Sequence, residues 1–205
     1  MVKNYSRKEI LTLTMNKSKF LTLVGASLVV FALIAFWLAD KFLPYQLSEI
    51  IINPGGWLLN IVWGVVIGAS TGFVAWWIVL RAFMTPVRDF FSNLFQGLKL
   101  NFWEILFISL CAGIGEELLF RGVIQYWLGI TWTALLFVII HGYLNPANWR
   151  LSVFGVFMVL AVMGFGYATN EIGLLTAIIA HIIVDVILLI KLGQSSTSQV
   201  DIPPE

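Results

Sequence analysis

Apolar runs of about twenty residues, separated by short polar stretches, set the pattern of this chain. A helix needs about 20 mostly apolar residues, rising ~1.5 Å each, to cross a hydrocarbon core of roughly 30 Å. Runs of that kind fall at 20–39, 57–80, 103–128, 131–142, 151–168 and 172–190. The fourth is too short to span as a helix alone. It must extend or be completed by the loop 142–150, and non-helical backbone at that depth is tolerated only where it is buried in protein or lines a wet cavity. The pattern predicts an all-α, polytopic transmembrane helix bundle with six spans.

A different pattern occupies 85–99. Val87, Phe90, Phe91, Leu94, Phe95 and Leu98 recur at helical spacing behind Thr85-Pro86, which reads as an N-cap followed by proline at the first helical position. That stripe predicts an amphipathic helix lying on the cytoplasmic interface, with anchoring as its expected role and gating of access from the lipid as the lesser one. Pro54-Gly55-Gly56 breaks the outer loop before the second span. The tail from Gly193 to Glu205 has too little apolar surface to fold and reads as a disordered end. The chain thus divides into 1–100, with two spans and the interfacial helix, a helix bundle at 101–192, and the tail at 193–205. No repeat recurs at a fixed period.

Composition sharpens this reading. Of 205 residues, 60% are hydrophobic and only 11% charged, too little polar surface to cover a water-soluble globule. Twelve Lys and Arg against eleven Asp and Glu exclude a strongly basic nucleic-acid surface. The single cysteine, Cys111, cannot form an internal disulfide and reads as packing. Lys3, Arg7, Lys8, Lys17 and Lys19 precede the first span against Glu9 alone, and Arg81, Arg88, Lys99, Arg150 and Lys191 fall in later alternate connections. The positive-inside rule then places both termini in the cytoplasm of a multi-pass cell-membrane protein. A cleaved signal peptide fits poorly, because the first run is long and ends in Trp37-Leu38-Ala39-Asp40.

The informative residues are those that break the apolar runs. Charged groups in hydrocarbon cost about 2.5–3.5 kcal/mol on insertion scales and usually face a bundle interior. The third run carries Glu116, Glu117 and Arg121, the fourth ends at His141, and the sixth carries His181 and Asp185; both histidines of the chain belong to this set. Counted inward at ~1.5 Å per residue, Glu116, His141 and His181 fall within about 6 Å of one level. They can converge on one buried site. Glu117 and Arg121 are four apart and align for an ion pair, as are His181 and Asp185. Glu116 and Glu117 project about 100° apart, which predicts that they do not share a partner.

These residues resemble the CAAX-protease and bacteriocin-processing (CPBP, also called Abi) family of intramembrane proteases, related to type II CAAX prenyl endopeptidases. The family pattern is E-E-x-x-x-R, F-x-x-x-H and H-x-x-x-N or D on successive helices. Here it reads Glu116-Glu117 to Arg121, Phe137 to His141, and His181 to Asp185, over roughly 101–190. The resemblance implies an intramembrane endopeptidase that hydrolyses a peptide bond of a membrane-associated protein or peptide through an activated water. By that likeness Glu116 and His141 hold and deprotonate the water, His181 and the residue at 185 stabilise the oxyanion, and Arg121 pairs with Glu117 to support the site. An aspartate at 185 is expected to act by orienting His181, since an ionised carboxylate would repel an oxyanion. No H-E-x-x-H motif occurs, so the expected chemistry uses no cofactor, with zinc on two histidines and a glutamate as the alternative.

Plainer readings exist for each piece: a buried ion pair that fixes helix packing, a helix-end histidine bonded to backbone, and a satisfied His–Asp pair. Their joint order on successive spans argues against all three. A catalytically silent membrane scaffold or bacteriocin-immunity protein is the alternative function, with a proton- or cation-coupled transporter behind it. Gly68-Ala69-Ser70-Thr71-Gly72 matches G-x-S-x-G, but lacks the strand-turn-helix setting of a nucleophile elbow. Gly64, Gly68 and Gly72 instead predict close helix packing.

Overall fold

The computed structural model of the protein describes residues 16–52 and 56–194. Lys3, Arg7, Lys8 and Glu9, the loop residues Pro54 and Gly55, and the tail beyond 194 lie outside the described residues. Helix α1 (Lys17–Phe42) starts at Asn16, whose side chain accepts the backbone N–H of Ser18. It is followed by the short α2 (Leu47–Ile52), the long α3 (Gly56–Val79), a 3-10 turn (Ala82–Met84) and α4 (Thr85–Leu98). Then come α5 (Phe102–Leu119), a π-helical turn (Phe120–Ile124), α6 (Gln125–Ile140), α7 (Trp149–Glu171) and α8 (Leu174–Gln194). Five helical stretches are long and apolar enough to cross a membrane, with Phe102–Ile140 counted as one.

That stretch is not one rod. A straight helix would separate Glu116 from His141 by about 37 Å, yet Glu116 Oε2 stands 3.4 Å from His141 Nε2. The rings of Phe120 and Phe137 are likewise only 5.0 Å apart. Both pairs straddle Gly129, where φ 69° and ψ 173° leave the helical region in a conformation that glycine adopts freely. The chain doubles back there, so the third and fourth runs form two antiparallel limbs. The short fourth limb does not extend. The segment 141–148 follows it, with Tyr143 and Leu144 packed against the core.

The long helices hold together through small residues. A Cβ at Gly68 would stand 2.7 Å from the Ala180 carbonyl oxygen, and one at Gly64 2.7 Å from Ile179 Cβ, so α3 and α8 approach too closely for any side chain. This is the helix packing that the glycine spacing predicts. Asn60, fully buried in α3, donates to the carbonyls of Gly56 and Ile172 and accepts from the Thr176 N–H and hydroxyl. It ties the start of α3 to the start of α8. At the other end Lys17 pairs with Glu104 at 2.9 Å, and Glu104 closes a capping box with Asn101 that starts α5. One apolar core runs through the bundle, from Ala35 and Ala39 in α1 to Ile178 and Leu192 in α8. Cys111 is buried within the helices, as its apolar setting predicts. Trp37, Trp57, Trp127, Trp132 and Trp149 are all exposed on the outer surface.

Helix α4 corrects one expectation. Met84, not Thr85, is its N-cap, because the 3-10 turn already carries the chain into helical dihedrals before Pro86. Its apolar stripe is also spent mainly on protein: Val87 and Leu98 are buried, Phe91 and Phe95 pack against the core, and Phe90 turns outward.

Candidate active site

The spacing Glu117 to Arg121 makes one helical turn, and the pair forms: Arg121 Nε is 3.1 Å from Glu117 Oε2, with both side chains sealed from the surface. The π-helical turn begins between them, at Phe120, a distortion that recurs at functional sites. Tyr45, in the connection before α2, donates its hydroxyl to the carbonyl of Gly122 inside that turn at 3.3 Å. Leu47 closes on Gly122 from the same side, where a Cβ would meet it at 2.8 Å.

Phe137 organises the other limb. Its ring lies under the Arg121 guanidinium at 4.5 Å, stacks on His141 at 4.2 Å between centroids, and presents an edge to His181 at 5.9 Å. Its carbonyl receives His141 Nδ1 at 2.7 Å. A carbonyl oxygen can only accept, so Nδ1 carries the proton and Nε2 faces Glu116. The F-x-x-x-H spacing is thus a stacking and tautomer-setting device.

His181 is held differently from the expectation. Its Nδ1 stands 2.7 Å from Glu117 Oε1, so Glu117, and not Asp185, makes the bond that orients the ring. Asp185 faces the other edge, with Oδ2 3.6 Å from Nε2. Glu116 Oε2 is 3.9 Å from that same Nε2. The two glutamates therefore do share a partner: they project apart, but an imidazole offers a nitrogen on each of two edges. Glu117 is spent on Arg121 and His181, and Glu116 is left to face His141.

Exposure separates the two layers. Glu117 and Arg121 side chains are 0% and 1% exposed, whereas Glu116, His141 and Asp185 are 16%, 28% and 28% exposed. The outer layer opens onto a cavity of about 510 Å³ that is otherwise mostly apolar. Val87, Phe91, Leu94 and Phe95 of α4 line it, which is where the amphipathic stripe goes. All six site residues singled out by sequence, Glu116, Glu117, Arg121, His141, His181 and Asp185, thus meet in one network. Tyr45, Phe137 as a stacking partner, and Tyr143 on the cavity wall were not among them. Among the described residues no three His, Cys, Asp or Glu side chains are arranged to hold a metal ion. No step below is routed through a metal.

A multi-pass helical membrane protein with a carboxylate–imidazole cluster at the inner end of an apolar cavity is the class that fold and site define. Residues 98–187 match the family model of Rce1-like type II CAAX prenyl endopeptidases. The match covers under half of the chain, takes in all six site residues, and supports membership of the CPBP family. At family level it supports an intramembrane CAAX-type protease. No curated protein and no solved structure matches the chain.

Proposed function

We propose that this chain is an intramembrane endopeptidase in which Glu116 and His141 activate a water for attack on a peptide bond. The observation that carries the reading is the 3.4 Å approach of Glu116 Oε2 to His141 Nε2 on the wall of the apolar cavity. With Nδ1–H given to Phe137, His141 in its neutral form turns a lone pair toward the carboxylate. Two acceptors facing one another suit a water, which can donate one hydrogen to each and aim an oxygen lone pair at a substrate carbonyl. The apolar walls lower the local dielectric, so charges beside them interact more strongly than in water.

The steps balance on these groups. The water oxygen bonds the carbonyl carbon, its proton passes to Glu116, and the carbonyl electron pair moves to oxygen as an oxyanion. When the carbonyl reforms and the C–N bond breaks, Glu116 returns the proton to the leaving amine. His181 and Asp185 border the oxyanion, with the Nε2 edge of the ring toward the cavity. Glu117 and Arg121 hold His181 from behind. No metal is needed in this sequence, and the substrate is a membrane-associated protein or peptide whose apolar part fills the cavity.

The test is Glu116→Gln in the full chain reconstituted in lipid, assayed on a pool of apolar peptides. Turnover is expected to fall at least about 10²-fold, the scale of a lost general base, with unchanged helix content and melting. Wild-type rates in Glu116→Gln would remove the mechanism, and a wild type that cleaves nothing would favour a silent scaffold. A chelator arm addresses zinc: turnover that survives metal removal supports the metal-free sequence.

A further inference from the structure

An oxyanion needs a hydrogen-bond donor, and the cavity offers few. Its donor-bearing lining residues are Arg88, His141, His181 and Tyr143. His141 has committed Nδ1–H to the Phe137 carbonyl, and His181 has committed Nδ1 to Glu117. Nε2 of His181 faces the Asp185 and Glu116 carboxylates, which compete for any proton it carries. Arg88 belongs to α4 and faces Asp89, with Nε 3.7 Å from the carboxylate.

Tyr143 is held with unusual definition for a residue in a connection. Gly142 before it has φ +74°, which sets the turn out of α6. The Tyr143 N–H bonds the Val138 carbonyl at 3.2 Å. Gly155 of α7 admits its backbone, since a Cβ there would stand 2.5 Å from the Tyr143 carbonyl oxygen. The ring is stacked 5.8 Å from His141 on one side and meets Phe154 edge-on at 5.5 Å on the other. Tyr143 lines the same cavity as the Asp185 and Glu116 carboxylates.

From this geometry we infer that Tyr143 is the neutral hydrogen-bond donor to the oxyanion of the reaction, placed beside the water-activating pair by the turn at Gly142 and the contact with Gly155. The inference rests on the proteolytic reading above and adds to it the donor that Asp185 cannot be as an anion. Tyr143 transfers no proton. Its O–H bond stays intact while the oxyanion forms and collapses.

Tyr143→Phe keeps the ring between His141 and Phe154 and removes the hydroxyl alone. Two measurements on the full chain in lipid test it. The first is binding of a pseudodipeptide in which a phosphinate, tetrahedral and anionic, replaces the scissile bond between two leucine side chains. Wild type is expected to bind it about tenfold or more tightly than Tyr143→Phe, the worth of one hydrogen bond to a charged group. Equal binding by the two, or binding by neither, overturns the assignment. The second is turnover on the peptide pool, where kcat is expected to fall by about 10²–10³ with KM little changed. A Phe variant with wild-type kcat also overturns it, because a purely structural tyrosine is rescued by phenylalanine. A wild type that discriminates the phosphinate through Tyr143 yet cleaves nothing loses the proteolytic reading while the donor assignment stands.

Discussion

Arg121 has an ion-pair partner, the Glu117 carboxylate 3.1 Å from Nε, and an aromatic face beneath its guanidinium. Neither terminal nitrogen has a hydrogen-bond partner among the described residues. Such a cation is held in the bundle by Glu117, and Glu117 by it. Arg121→Ala is therefore expected to destabilise the fold by about 3–5 kcal/mol, because it leaves a buried carboxylate with only His181. Thermal unfolding in detergent measures this, and Arg121→Ala melting with the wild type would show that the pair contributes little. The same residues mark how far single positions are legible. Glu117 and Arg121 pair because four residues make one helical turn, a local fact. The bond from Glu117 to His181 is not local, since it joins residues 64 apart and depends on how α8 lies against α5. Tyr143 carried no signal beyond being a polar aromatic after His141. Asn60 carried one, as a lone amide in an apolar run, and its burial between α3 and α8 explains it.

Among the elements, α3 and α8 approach closely, and glycines permit it. Gly68 faces backbone atoms of Ala180, which cannot rotate away as a side chain could. Gly68→Ala is expected to cost about 1–3 kcal/mol through overpacking, and Gly68→Leu is expected to lower expression of folded protein as well. A differential melt of the two variants checks this, and unchanged melting of Gly68→Ala would mean the helices part at little cost. Ser70→Ala, in the same G-x-S-x-G string, is expected to leave activity and stability unaltered, since no nucleophile elbow forms there. The glycine period was legible because one side chain per turn repeats on one face. The start of α4 was not: Thr85-Pro86 has the residue types of a cap, but the preceding 3-10 turn had already begun the helix. Its stripe was legible as apolar, but periodicity states that a face is buried and not whether lipid or protein buries it, and here most of it meets protein.

For the molecule as a whole, the doubling back at Gly129 divides the third of five apolar stretches into two limbs, beside α1, α3, α7 and α8. We propose that both termini face the cytoplasm, as the distribution of Lys and Arg implies. In a Cys111→Ala background, Lys19→Cys and Gln194→Cys are expected to react with an impermeant thiol reagent from the same, cytoplasmic side. Labelling of the two from opposite sides would require an odd number of crossings. Sequence alone establishes that the chain is a membrane helix bundle and that Glu116 and both histidines lie near one depth, because hydropathy and rise per residue are properties of single helices. It also establishes the pair made within one turn, Glu117 with Arg121, but not the stack of Phe137 on His141. Only the tertiary structure decided which glutamate faces which imidazole, that α4 walls the cavity, and that Tyr143 joins the site. Those depend on the rotation of each helix about its own axis and on the reversal at Gly129, and both are set by packing between helices, which no single helix encodes.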